Sequence, residues 1–210
     1  MVRIVAISDT HGLHDAVAVP DGDILIHAGD ITRRGELEAV RGFNEFLGRL
    51  PHRHKIVIAG NHDFCFERTP AAATALLTNC TYLLDQAVTV CGLRIYGSPW
   101  QPWFHDWAFN LRPGPELRAK WDRIPRDTDI LVTHGPPYGI RDRTVRGELV
   151  GCVDLLAAVG EIRPRLHIFG HIHEGWGVSQ HDRTTFVNAS ICTFDRDPTN
   201  PPHVFDLAPE

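Results

Sequence analysis

The stretch Lys55-Ile56-Val57-Ile58-Ala59-Gly60-Asn61-His62-Asp63 joins an apolar run to a short polar turn. An apolar run bounded by a turn is typical of a buried strand, and open α/β sheets bind their ligands at the carboxyl ends of such strands. The turn places an amide, an imidazole and a carboxylate directly after the predicted strand. By itself the tetrapeptide Gly60-Asn61-His62-Asp63 could equally be an ordinary polar turn, so its meaning depends on the rest of the chain.

Four other apolar runs also end in polar side chains. They deliver Asp9 and His11, Asp30, His134, and His171 with His173. Helical patterns lie between several runs, and the alternation predicts an α/β fold. We expect helices over residues 37–50, 71–77, 115–121 and 153–162, a hairpin turning at Cys91-Gly92, and a long ordered loop over 97–115. Residues 177–180, 184–188 and 203–207 are predicted as antiparallel strands.

Composition excludes several classes of protein. The 210 residues, 43% hydrophobic and 22% charged, are typical of a globular chain, and we expect a single domain over 1–210. No apolar run is long enough to span a membrane. A formal net charge of -5 argues against a nucleic-acid polymer as partner. Five cysteines without a CxxC pair, and no visible signal peptide, favour a cytoplasmic protein with reduced thiols.

The thirteen histidines are the anomaly of the composition. Any one of them could be structural, but seven potential metal donors follow predicted strands in order: Asp9, His11, Asp30, Asn61, His134, His171 and His173. Seven donors exceed what one ion usually takes from protein and suit two ions about 3.5–4 Å apart, bridged by a carboxylate. Asp30 is the candidate bridge, because it is the carboxylate that remains after Asp9 is assigned. The imidazole majority favours Mn, Fe, Zn or Co over Mg or Ca.

Local geometry suggests how the donors point. Residues i and i+2 of an extended segment share a side, so Asp9 with His11, and His171 with His173, are each predicted to form a same-side pair. Asn61 and His62 are adjacent and should point apart, one toward a metal and the other elsewhere.

The blocks Asp9-x-His11, Gly29-Asp30, Gly60-Asn61-His62-Asp63, Thr133-His134-Gly135 and Gly170-His171-Ile172-His173 resemble those of the calcineurin-like metallophosphoesterase superfamily. Residues 98–102, 133–137, 169–175 and 187–190 resemble one branch, the metallophosphoesterase-domain-containing group. The resemblance implies a four-layer α/β/β/α sandwich, with two mixed sheets flanked by helices. It also implies metal-dependent hydrolysis of small phosphoesters, with phosphodiesters such as cyclic nucleotides as the expected substrates.

The resemblance also implies residue roles. One metal would take Asp9, His11, Asp30 and His173, and the other Asp30, Asn61, His134 and His171. A hydroxide held between two dications would attack phosphorus, with Mn²⁺ the expected ion in vitro, and His62 would be the general acid beside the leaving oxygen. The alternatives are a phosphomonoesterase with the same site and a non-catalytic scaffold. A scaffold would have lost ligands, and here all seven are present.

Two departures from the protein-phosphatase branch argue against that activity. Arg33 stands where that branch has an aspartate supporting its catalytic histidine, and Asp63 stands where it has glutamate. Asp63 becomes the candidate support for His62. Arg33, Trp100 and Trp103 are candidate substrate contacts, although the aromatic stretch that holds both tryptophans could instead anchor a loop in the core. The oligomeric state is left open.

Overall fold

Two β-sheets pack face to face, and the computed structural model describes them within residues 1–209. In chain order, the strands of the first sheet are β1 (Val2–Ile7), β2 (Ile24–His27), β3 (His54–Val57), β4 (Thr81–Tyr82) and β13 (His203–Leu207). Their spatial order is β13-β1-β2-β3-β4. The pairs from β1 to β4 are parallel, and β13 is antiparallel to β1.

The second sheet has six strands. They are β5 (Gln86–Val90), β6 (Leu93–Ser98), β9 (Ile130–Thr133), β10 (Leu166–Phe169), β11 (Gly177–His181) and β12 (Thr184–Asn188). Their spatial order is β11-β12-β10-β9-β6-β5. The four inner strands run parallel, and the edge strands β5 and β11 pair antiparallel. Both sheets are therefore mixed.

Helices cover the outer faces of the two sheets. They are α1 (Leu37–Arg49), α2 (Phe64–Arg68), α3 (Pro70–Ala75), α4 (Pro115–Trp121) and α5 (Val153–Ile162). Helix α1 buries Val40, Phe43 and Leu47, at the spacing of three and four that puts side chains on one helix face. It ends before Pro51, which cannot continue a helix.

Strand β1 shows why the molecule has four layers. Its side chains alternate between two buried environments. Ile4 and Ala6 belong to the apolar layer between the sheets, together with Ile130 of the second sheet. Val5 and Ile7 face the other way, into the layer that also contains the α1 side chains. A corresponding outer layer on the second sheet includes Leu117, Trp121 and Leu155 from α4 and α5. The four-layer α/β/β/α prediction is confirmed.

Some local predictions differ from the structure. The predicted loop over 97–115 contains a two-stranded ladder of β7 (Gln101–Pro102) and β8 (Asn110–Leu111). Strand β12 is antiparallel to β11 but parallel to β10, so the last strands do not form a purely antiparallel set. Strand β4 and helix α2 were not predicted, because two and five residues are too short to establish a hydrophobic period. Among residues 1–209, no helix is long and apolar enough to cross a bilayer.

Candidate metal centre

The site lies where parallel strands of both sheets end. Asp9 and His11 follow β1, Asp30 follows β2, and Asn61 follows β3. From the second sheet, His134 follows β9, and His171 and His173 follow β10. Because the carboxyl ends of these strands meet at one edge of the sandwich, residues far apart in sequence become neighbours. The structure brings all seven predicted donors together in this way.

The first group of donors is Asp9, His11 and His173, whose ligand atoms all lie within 4.8 Å of one another. His173 Nε2 is 3.5 Å from Asp9 Oδ1 and 3.2 Å from His11 Nε2. The Asp9 carboxylate also accepts hydrogen bonds from the His171 backbone N–H at 3.0 Å and from the Ser190 hydroxyl at 2.9 Å. These contacts fix the carboxylate in place while its Oδ1 stays next to the His173 imidazole.

The second group is centred on the Asn61 amide oxygen. Asn61 Oδ1 lies 2.8 Å from His134 Nε2 and 2.9 Å from His171 Nδ1. Asp30 lies between the two groups. Its Oδ1 is 3.5 Å from His134 Nε2, and its Oδ2 is 3.8 Å from His11 Nε2. One oxygen of this carboxylate therefore faces each group, which is the geometry of a bridging ligand.

Backbone carbonyls set the tautomers of three imidazoles. The Nδ1 atoms of His11, His134 and His173 lie 3.4, 3.0 and 2.8 Å from the carbonyl oxygens of Thr32, Ala28 and Thr193. A carbonyl oxygen only accepts, so each Nδ1 carries the hydrogen and each Nε2 is left facing the other donors. This is the usual arrangement of metal-binding histidine. His171 differs, because its Nδ1 faces Asn61.

The converging atoms require positive charge between them. With both Nδ1 atoms protonated, His11 and His173 point Nε2 lone pairs at each other across 3.2 Å. His134 Nε2 likewise faces the Asn61 amide oxygen, itself an acceptor. Such pairs are stable only with a proton or a cation between them. Because the donors are imidazole nitrogens and carboxylate and amide oxygens, the set fits divalent transition metal ions.

The pKa values of these groups also indicate that positive charge stabilises the site. Burial opposes the charged forms, but His173 beside Asp9, and His134 beside Asp30, hold the pKa of each carboxyl well below its usual value. Burial lowers the pKa of His173 and of His134, but the neighbouring carboxylates outweigh it. Asp9 raises the pKa of His173 to about 9, and Asp30 raises the pKa of His134 to about 9. Burial, then the His134 charge, lowers the pKa of His171 to about 3. Protons on two imidazoles thus balance two carboxylates, and metal binding would release them.

The donors reach these positions through left-handed turns. Asp9, His11, Asp30 and His171 have φ of 53°, 45°, 57° and 68°. The extended backbone behind the predicted same-side pairs is therefore wrong. Asp9 and His11 do face the same group, but His171 faces Asn61 while His173 faces Asp9 and His11. Non-glycine residues rarely adopt this region, and such strain concentrates at functional sites.

Two glycines allow the close approach of the loops. A Cβ at Gly60 would overlap Oδ1 of Asp30, and one at Gly170 would overlap Oδ2 of Asp9. Each of these two carboxylates thus packs directly against the backbone of a neighbouring strand end. Only glycine leaves that space at either position.

His62 points away from Asn61, as predicted. Its Nδ1 donates to the Arg33 carbonyl oxygen at 2.7 Å, which leaves Nε2 4.0 Å from Asp30 Oδ2. A backbone carbonyl therefore orients the ring, in place of the carboxylate we expected from Asp63. The Asp63 oxygens instead accept from the backbone N–H groups of residues 31, 32 and 60 and from the Thr32 hydroxyl, at 2.8–3.1 Å. Asp63 ties the β2 and β3 loops together.

A cavity of about 310 Å³ opens over the donors. Phe104, Trp107, Phe194 and Arg196 line it along with several of the donor side chains. The Trp107 ring lies 4.3 Å from the His62 ring, and Phe104 lies 5.1 Å from His171. The aromatic stretch identified from the sequence includes Phe104 and Trp107, but only Trp100 and Trp103 were chosen from it as candidate substrate contacts. Sequence reasoning also missed Arg196, and although residues 187–190 resemble the same branch, nothing in that stretch indicated that Ser190 contacts Asp9.

The three candidate substrate contacts have different positions. The Arg33 guanidinium is exposed, and its Nε donates to the His11 carbonyl oxygen at 3.3 Å. Trp103 is 57% exposed and lines a second cavity beside His171. Trp100 is half-buried and packs against the core, with its indole N–H donating to Asp85 at 3.0 Å. The alternative of a core-anchored loop therefore describes Trp100.

An α/β/β/α sandwich with histidines and carboxylates gathered at its strand ends is the architecture of the metal-dependent phosphoesterases. The sequence model described as "Calcineurin-like phosphoesterase" matches residues 2–175, and the chain belongs to that family. Metallophosphoesterase domain-containing protein 1 of Homo sapiens is 50% identical, over 98% of this chain and 71% of its own length. A UPF0046 protein of Caenorhabditis elegans is 42% identical, over 98% of this chain and 81% of its own.

Solved structures share the fold. One superimposes with a TM-score of 0.71 at 18% identity, covering 92% of this chain and 91% of its own. TT1561 of Thermus thermophilus superimposes with a TM-score of 0.58 at 16% identity, covering 89% and 88%. The relationship to the metallophosphoesterase-domain-containing group is thus confirmed by sequence, and the sandwich architecture by structure. The family is metal-dependent, in agreement with the donor set.

Proposed function

We propose that this chain hydrolyses small phosphodiesters, cyclic nucleotides among them, at the centre formed by the seven donors. The observation that carries the proposal is the position of Asp30, whose two oxygens face different donor groups at 3.5 and 3.8 Å. That arrangement is suited to two ions sharing one carboxylate. Membership of the phosphoesterase family supports the reaction type.

The donor set supports two divalent ions chosen from Mn, Fe, Zn and Co, with Mn²⁺ the working ion in vitro. One would be held by Asp9, His11, Asp30 and His173, the other by Asp30, Asn61, His134 and His171. When bound, the ions supply the activated water and the positive charge that phosphoryl transfer requires.

His62 is the proposed general acid. The Arg33 carbonyl holds its Nδ1–H, so Nε2 faces the cavity. Trp107 covers one face of the ring and limits its rotation. A proton on Nε2 is therefore presented to the leaving oxygen of an ester bound over Asp30.

Two arginines are the proposed phosphate contacts. Arg196 lines the cavity, and Arg33 donates to the backbone carbonyl of His11, whose residue also lines it. A guanidinium pairs with phosphate oxygens through paired N–H donors. We place the reaction in the cytoplasm, because all five cysteines are free thiols, as a reducing compartment would keep them.

The experiment is hydrolysis of bis-p-nitrophenyl phosphate and p-nitrophenyl phosphate by the purified protein with Mn²⁺. We expect turnover of both and a faster rate on the diester. His134→Ala, prepared in parallel, should abolish both rates and so exclude a contaminating phosphatase. A faster rate on the monoester would favour the phosphomonoesterase alternative, and no turnover of either ester would refute the proposal.

A further inference from the structure

A second cavity of about 480 Å³ adjoins the one over the metal donors. Phe104 and His171 line both cavities, so the two share a wall. The remaining lining is mainly apolar, and includes Pro102, Trp103, Pro136, Val150 and Ile172. The volume lies within the range of roughly 300–1,000 Å³ that small-molecule sites occupy. A ligand that places phosphate over the metals could therefore extend past His171 into this pocket.

Gln101 gives the pocket a hydrogen-bond acceptor of fixed direction. This side chain lines the pocket and is 1% exposed. Its amide nitrogen donates to the Ala108 carbonyl oxygen at 3.4 Å and to Asn110 Oδ1 at 3.2 Å. Both partners are acceptors, so the amide cannot be turned round, and Oε1 is the atom left over. Within residues 1–209, Gln101 Oε1 has no hydrogen-bond partner.

Gly135 leaves room for one more carbon atom beside that buried oxygen. A Cβ at this position would lie 4.0 Å from Gln101 Oε1 and 4.0 Å from His171 Cδ2. Because Gly135 has no side chain, the space between Gln101 Oε1 and the His171 ring that a Cβ would occupy is unfilled. Buried polar atoms normally have partners, and an unpaired one costs free energy. A ligand that donates a hydrogen bond here would remove that cost.

We propose that the pocket binds a planar aromatic substituent of the phosphoester, and that Gln101 Oε1 accepts a hydrogen bond from an N–H on that substituent. The inference rests on the proposed function for the position of the phosphoryl group. Trp103 and Phe104 provide aromatic surface against which a flat ring packs. The substrate class is therefore an ester of a heteroaromatic group with an N–H donor, rather than any small phosphodiester.

Three phosphonates test the proposal by calorimetric titration into the Mn²⁺-reconstituted protein. They are methylphosphonate, naphthylmethylphosphonate and indolylmethylphosphonate, and none can be hydrolysed as an ester. The two bicyclic groups are similar in size, but only indole has an N–H. We expect the naphthyl ligand to bind at least tenfold more tightly than methylphosphonate. The indolyl ligand should bind about tenfold more tightly still, since only it satisfies the buried acceptor.

Variants locate the effect. Val150→Trp fills the pocket and should weaken both aromatic ligands about tenfold while sparing methylphosphonate. Gly135→Ala fits at ordinary contact distance and should remove the preference for indole, without breaking the bonds that Gln101 itself makes. Val153→Trp is the matched control, because Val153 is 63% exposed at the start of α5. It should change none of the three affinities.

Two results would overturn the inference: equal affinity for the indolyl and naphthyl ligands, or aromatic affinities that Val150→Trp leaves unchanged. Because binding is measured without turnover, the two proposals fail separately. Loss of ester hydrolysis with the expected phosphonate series would refute the proposed function and support the pocket. Normal ester hydrolysis with equal affinities for all three phosphonates would support the proposed function and refute the pocket.

Discussion

The imidazole of His62 is oriented by the carbonyl oxygen of Arg33, 2.7 Å from its Nδ1. His62 follows β3 and Arg33 follows β2, so this bond joins the two loops that deliver Asn61 and Asp30. A neutral carbonyl fixes the ring without adding negative charge next to Asp30. This orientation agrees with the proposed role of His62 in proton transfer, next to Asn61 as the proposed metal ligand.

His62→Ala should therefore retain metal and lose acid catalysis. General acids contribute about 10²–10⁴-fold, and we expect a loss in that range for alkyl phosphodiesters, whose leaving oxygen needs a proton. The loss on p-nitrophenyl esters should be far smaller, because p-nitrophenolate leaves without protonation. The measurement is kcat/KM on both kinds of ester, together with the metal content of each preparation.

The matched control for His62→Ala is His181→Ala, an exposed histidine on β11, which should behave like wild type on both esters. Equal losses on the two esters in His62→Ala would remove the general-acid assignment. Loss of an ion would instead make His62 a ligand, a role that its grouping with His11 and Asp30 allows.

Asp30→Asn should reduce metal occupancy. The substitution keeps the shape of the side chain but removes the charge that faces His134 and His11. Inductively coupled plasma mass spectrometry after Mn²⁺ reconstitution and desalting should find fewer than two ions per chain. Asp15→Asn, at an exposed residue, is the control. A variant that kept both ions at wild-type affinity would show that Asp30 does not bridge them.

Most of the donor set could be predicted from the sequence, because each donor follows an apolar run and parallel strands end at one edge. Ile4, Ile24, Ile56, Ile130 and Ile168 all lie in the buried layer between the sheets. Their neighbours Val5, Leu25 and Leu131 lie in the outer apolar layers, so the runs are apolar on both faces and easy to recognise. Because each donor follows such a run, the donors are expected at the same edge of the sandwich.

The features that could not be predicted depend on where loops lie in space. Trp107 covers His62 because residues 103–109 form the loop between β7 and β8, strands of two residues each. Ser190 reaches Asp9 across 181 positions of sequence. The left-handed backbone at Asp9 and His171 also left no trace in composition, since neither is glycine.

Acid stability should depend on His167, which is buried away from the donors. Burial lowers its pKa from 6.5 to about 3, and its Nε2–H donates to the Thr133 hydroxyl. As pH falls from 6.5 toward 3, His167 becomes protonated in the unfolded chain but stays neutral in the folded chain. The free energy of unfolding should therefore fall by up to about 1.4 kcal/mol per pH unit from this group alone.

His167→Gln keeps an N–H donor but cannot titrate. Urea unfolding with chelator present should show the variant losing less stability than wild type between pH 6.5 and 5. Thr133→Val, which removes the partner hydroxyl and keeps the histidine buried, should retain the wild-type pH dependence. Parallel curves for wild type and His167→Gln would exclude His167 as the source.

Two glycines offer opposite predictions for the same substitution. A Cβ at Gly170 would overlap Asp9 Oδ2 and lie 2.8 Å from Ser8 Cβ, both in the rigid interior of the site. Gly170→Ala should therefore displace the Asp9 carboxylate, cost about 1–3 kcal/mol of stability, and lower Mn²⁺ content.

Gly160 lies in α5 with nothing within 4 Å of the added Cβ. Gly160→Ala should instead stabilise the protein by about 0.5–1 kcal/mol, because alanine is the better helix former. Thermal unfolding and metal analysis of both variants check the pair. If Gly170→Ala kept both its ions and its stability, close contact between the β10 backbone and Asp9 would not be what holds this carboxylate at the metal centre.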